Sequence, residues 1–166
     1  MYGVIFLSEL SYDRAAAVAY ARRWALDRNP AYYDFEQIGG DCTNFVSQCL
    51  FAGAGVMNYT RDFGWYYRSL SDRAAAWSGV EYLYRFLISN KTAGPAARVV
   101  SQGKAQRGDV VQLGREDGTF YHTLLLTETF PQILVCGHSY DVSDRPLATY
   151  SASRVRFLQI KTVYVK

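Results

Sequence analysis

Near residue 100 the hydrophobic pattern of this 166-residue chain changes period, and no other feature limits its fold so strongly. Upstream, apolar residues recur every three or four positions; downstream they form strand-length runs rich in β-branched side chains. Helices first and strands afterwards predict an α+β fold with segregated layers. The length suits one domain over residues 1–166, enough to bury about two-thirds of the unfolded surface without disulfides or a structural metal. Hydrophobic residues at 49% and charged residues at 20% exclude a disordered or collagen-like chain.

The first predicted helix runs from Ser11 or Tyr12 to about Asp27, with Ser11 as N-cap, and Asn29-Pro30 ends it. A second starts near Gly40-Asp41 and sets Cys42, Phe45, Val46, Cys49 and Leu50 on one apolar face, with Thr43, Ser47 and Gln48 largely off it. A third opens on a capping box, Ser78-x-x-Glu81, and buries Val80, Leu83, Tyr84, Leu87 and Ile88. An aromatic loop with Phe63, Trp65, Tyr66, Tyr67 and Trp77 separates the last two. Strands are expected over Val110–Leu113, Tyr121–Thr127, Ile133–His138, Val155–Ile160 and Thr162–Val165.

A net charge of +3 with scattered basic residues gives no reason to expect a nucleic-acid partner. The apolar run Val4–Leu7 is too short for a secretory leader and lacks a basic flank, so the sequence shows no signal peptide and no address of its own. No stretch approaches the ~20 apolar residues of a membrane helix, so no membrane partner is expected. A monomer is expected.

Two histidines and three cysteines hold the chemistry. Cys42 stands where a helix begins, and backbone N–H groups there stabilise an anion, which lowers a thiol pKa toward neutrality. Gly39-Gly40 allows a tight turn, and the N–H of Cys42 suits an oxyanion hole. The other reading of Cys42 is that it opens the buried stripe of its helix. Asp41 is a good N-cap, yet it sets a negative charge beside the sulfur. If the hairpin loop runs from Glu128 to Gln132, Thr127 faces Ile133 and His122 faces His138, with both imidazoles side by side. Cys42, His122 and His138 then fit the roles of nucleophile, base and orienting group; the two histidines fit equally a cross-strand pair at a half-exposed edge. No C-x-x-C or H-E-x-x-H spacing is present, so neither a metal nor another cofactor is expected. Cys49 lies two helical turns from Cys42, about 10.5 Å along the axis, too far for a disulfide. It reads, like Cys136, as core.

The segment Gly39–Cys49, GGDCTNFVSQC, resembles the nucleophile motif of the putative amidase domain family of Gram-positive bacteria. The upstream YDRAAAVAYARRWA, the W65YY and W77SGV pieces, R107GDVVQ, Y121H and G137HSYD follow that family's order of landmarks over about residues 12–160. The resemblance extends to the papain-like superfamily with its NlpC/P60 and CHAP cell-wall hydrolases. It implies N-terminal helices packed on a C-terminal antiparallel β-sheet, Cys42 as nucleophile, His122 as general base and His138 as the third member, with Asp141 as an alternative. Asp41 matches the acidic residue before the nucleophile, and Asp109 a structural turn. Candidates for binding substrate or the oxyanion are Asp41, Tyr32, Tyr33 and Gln37, while Trp65 and Trp77 are expected to wall the cleft. The expected activity is hydrolysis of an amide in peptides or peptidoglycan through a thioester on Cys42. A non-catalytic sugar- or peptide-binding module of the same fold, or an acyltransferase using the same pair, is the alternative.

Overall fold

Seven antiparallel strands and four helices make up the computed structural model, which describes residues 7–165. The apolar run Val4–Leu7 lies, apart from Leu7, outside the described residues. In chain order the elements are β1 (Ser8–Leu10), α1 (Arg14–Trp24), α2 (Cys42–Ala54), α3 (Ala75–Ser78), α4 (Val80–Ser89), β2 (Gly94–Val100), β3 (Val110–Gly114), β4 (Phe120–Glu128), β5 (Leu134–Gly137), β6 (Val142–Pro146) and β7 (Arg154–Val165). The sheet order is β1-β7-β3-β4-β5-β6, with β2 also paired to β7. The expected α+β architecture, helices packed on an antiparallel sheet, is therefore present. None of the described helices is long and apolar enough to cross a membrane.

Alternation along the strands builds two cores on opposite faces of the sheet. Val110, Leu125, Cys136 and Leu158 meet Ala17, Ala21, Phe45, Cys49, Leu50, Leu83 and Leu87 of the helices, together with Trp65 and Trp77. Val111, Leu113, Leu124, Leu126, Val135 and Phe157 point the other way and are covered by loop residues that include Leu147, Tyr150 and Ala152. Asp109 pins this frame. Its Oδ1 accepts from Arg14 Nη1 at 2.6 Å and from the Ile160 N–H at 3.0 Å, and its Oδ2 from the Gln106 N–H at 2.7 Å.

The helix ends differ from expectation for local reasons. α1 starts at Arg14 because Asp13, not Ser11, caps it, accepting from the Ala16 N–H at 2.9 Å. The third expected helix starts at Val80 rather than at Ser78, and the short α3, which was not expected, precedes it across Gly79. Ser78 ends α3 with its hydroxyl bound by Arg73, and Glu81 reaches Arg156 rather than closing a capping box. Residues 154–165 form one long strand instead of two, and β1, β2 and β6 are strands that propensity did not predict. The β4–β5 register is offset by one residue from the expected pairing. Leu125 faces Cys136, Leu126 faces Val135, and a bulge precedes the Glu128–Leu134 pair. That slip separates the two histidines.

Candidate active site

α2 is buried on nearly all sides, although its sequence carries a polar face. The polar residues satisfy partners that arrive from distant parts of the chain. Thr43 Oγ1 lies 3.0 Å from Thr123 Oγ1 on β4, Ser47 Oγ accepts from Trp65 Nε1 at 3.0 Å, and Gln48 Oε1 accepts from the Tyr20 hydroxyl at 2.7 Å. Asn44 accepts from Trp77 Nε1 at 2.8 Å and donates to Asp41 Oδ1 at 2.8 Å. These bonds place the first turn of α2 beside the open end of β4, beyond the point where β5 stops pairing.

Asp41 precedes this turn but does not cap it. Both of its oxygens are used elsewhere. Oδ1 accepts from the Phe35 N–H at 2.9 Å as well as from Asn44, and Oδ2 lies 2.5 Å from His138 Nδ1. The first N–H groups of any helix lack intrahelical acceptors, and no Asp41 side-chain cap takes up those of this turn. Gly39 and Gly40 hold φ of 116° and 97°, which L side chains rarely adopt, and a Cβ on Gly40 would lie 3.2 Å from Ser139 Oγ. That hydroxyl accepts from the Asp41 N–H at 2.9 Å and donates to Glu36 at 3.1 Å.

Cys42 and His122 line one cleft of about 500 Å³ with Glu36, Ser139, Tyr121, Tyr140, Arg145 and Tyr150. His122 faces Leu113 across the β3–β4 ladder and so belongs to the second-core face of the sheet; the cleft forms where that face meets the rim under α2. Cys42 is 8% exposed. Burial pushes its pKa up and Asp41 adds to the rise, while hydrogen bonds from Thr123 and Thr43 pull it down. The net direction is upward, opposite to the lowering expected from the helix N-terminus alone. Burial, aided by the charge of Arg145, holds the His122 pKa down at about 4. At neutral pH the pair is therefore a thiol and a neutral imidazole.

His138 is not beside His122. The residue is 1% exposed; its ring stacks on Phe45 with centroids 4.1 Å apart, and presents Nδ1 to Asp41 and Nε2 to the Trp24 carbonyl at 2.8 Å. It thus ties the end of α1 to the start of α2. Asp141 is removed from the cleft too, because Arg28 holds both its oxygens at 2.8 and 3.1 Å.

The remaining expected residues have structural surroundings. Tyr32 stacks on Trp77 at 5.7 Å, Tyr33 donates its N–H to the Tyr67 hydroxyl, and Gln37 is exposed without lining the cleft. Trp65 and Trp77 are fully buried in the main core, so they do not wall the cleft. Tyr121, Tyr140 and Tyr150 do. Nothing in their spacing signals this, since Tyr150 reaches the site only because residues 147–152 fold back across the second core. Cys49 and Cys136 are buried in the main core, and all three cysteines are free. Among the described residues no cluster of three or more His, Cys, Asp or Glu side chains is arranged to hold a metal.

Residues 11–160 match the family described as a putative amidase domain. A curated relative, "Uncharacterized protein YhbB" of Bacillus subtilis (strain 168), is 37% identical over 118 residues, which covers 69% of this chain and 37% of the relative. The chain thus spans little more than a third of that protein's length. No solved structure matches.

Proposed function

Because the chain belongs to the putative amidase domain family, a family that points to amide hydrolysis, we propose that it is a papain-like cysteine hydrolase acting through a thioester on Cys42. The observation that carries this reading is the meeting of Cys42 and His122 in one cleft at an uncapped helix N-terminus. As the thiol attacks the substrate carbonyl, His122 takes its proton and the C–S bond forms. The imidazolium then protonates the leaving amine as the C–N bond breaks. A water that gives its proton to His122 attacks the thioester, releases the carboxylic acid, and Cys42 regains its proton. The Cys42 N–H is the first oxyanion donor. The resting pair is uncharged, so His122 works as a general base during attack rather than as the partner of a standing thiolate.

The substrate is an amide of peptidoglycan, either within the stem peptide or at its link to muramic acid. A tyrosine-lined cleft offers flat amphipathic walls suited to peptide and sugar. One observation favours a second reading, a non-catalytic binding module: the thiol is buried and its pKa is raised. Digestion of purified peptidoglycan followed by mass spectrometry separates the two. Wild type is expected to release peptide fragments, and Cys42→Ala to release none. No cleavage by wild type, or equal cleavage by the variant, overturns the hydrolase reading.

A further inference from the structure

The sheet face that carries His122 also carries a cation without a counter-charge. Arg145 pairs with Val135 across β5–β6, and Val135 belongs to the second core, so Arg145 shares a face with His122. Both line the cleft. The guanidinium is held in place: it lies over the Tyr150 ring at 4.0 Å, Nε donates to Thr149 Oγ1 at 2.8 Å, and Nη2 donates to the Thr149 carbonyl at 3.2 Å. These partners are neutral, and among the described residues no carboxylate pairs with Arg145. Glu36, the other charged residue of the cleft, is different. It already accepts from Ser139 and lies 3.8 Å from Arg28.

A fixed, partly buried guanidinium is poised for an anion. Its planar fork matches a carboxylate, little side-chain freedom remains to be lost on binding, and water screens it less than an exposed charge. We propose that Arg145 is a specificity-determining residue that binds a free carboxylate of the substrate, so that the site selects amides flanked by an acidic group. This rests on the hydrolase reading for the word substrate, and on cleft geometry for the ligand class.

The test uses one synthetic peptidoglycan stem peptide in two forms, with its carboxylates free and with all of them amidated. Titration calorimetry in the Cys42→Ala background measures binding without turnover. The acid form is expected to bind about ten- to a hundredfold more tightly, the range of a hydrogen bond to a charged group. Arg145→Gln is expected to bring the ratio close to one, and Arg145→Lys, which keeps the charge but loses the fork, to retain part of it. A ratio near one in the Cys42→Ala parent, a ratio unchanged by Arg145→Gln, or no binding of either form overturns the proposal. Wild-type cleavage is assayed separately with both peptides. If neither is cut while the binding ratio depends on Arg145, the hydrolase reading falls and the carboxylate site stands.

Discussion

The two histidines flank the start of α2 and have opposite surroundings. His138 is sealed in the interior, stacked on Phe45, with Asp41 and the Trp24 carbonyl at its two nitrogens. His122 sits in an open-mouthed cleft, where no described side chain hydrogen-bonds its ring and where burial and Arg145 keep it neutral. One ring has every polar atom committed; the other retains both nitrogens for a reaction. A fully satisfied buried network rigidifies what it joins, and here it joins the end of α1 to the residue before Cys42. A base, in contrast, needs an unoccupied nitrogen and a neutral resting state. On the hydrolase reading proposed above, the contrast suits His138 to position-holding and His122 to proton transfer.

The largest effect that tests this division is on turnover. His122→Ala is expected to lower kcat/KM for peptidoglycan fragments by about 10³-fold, within the usual range for a lost general base, with little change in melting temperature. Retained activity would break the comparison at its catalytic end. Next comes stability. His138→Ala leaves the buried Asp41 carboxylate without its ring partner and is expected to cost about 3 kcal/mol or more in urea unfolding. If that variant keeps its stability yet loses turnover, His138 is the third catalytic member and the contrast is reversed.

The parts of this arrangement that were legible in the sequence are those set by local pattern. The apolar stripe of α2, the helix-then-strand order and the position of Cys42 at a helix start all follow from spacing. What could not be read was decided by partners far along the chain. Thr43, Ser47 and Gln48 lie off the apolar stripe, but they and Asn44 bond to Thr123, Trp65, Tyr20 and Trp77, which are 18 to 80 residues away along the chain. The same bonds draw Trp65 and Trp77 into the core and leave the cleft walls to tyrosines. β2 begins Gly-Pro-Ala-Ala and has strand formers only at Val99 and Val100; its pairing along β7 extends the strand back to Gly94, an instance of context overriding propensity. The expected side-by-side placement of His122 and His138 is lost to a single-residue offset. The bulge after Leu126 offsets the hairpin register, and with a period of two one residue is enough to send facing side chains to opposite sides.

A smaller effect sharpens the comparison through acid stability. The His122 pKa falls from its ordinary 6.5 to about 4 on folding, so between those values the unfolded chain binds more protons than the folded one. Stability therefore rises with pH across this window: the contribution of His122 is complete above about 6.5 and is lost as pH falls toward 4. Because the ring is only partly enclosed, solvent limits the loss to no more than about 3 kcal/mol. Carboxylates across the molecule titrate in the same range, so the measurement must be a difference. Thermal melts of wild type and His122→Gln at pH 7 and pH 4.5 are expected to show a smaller acid-induced drop in the variant, since glutamine has no proton to take up. Equal drops would mean that His122 is already solvated in the folded protein, and the neutral cleft base would lose its physical basis.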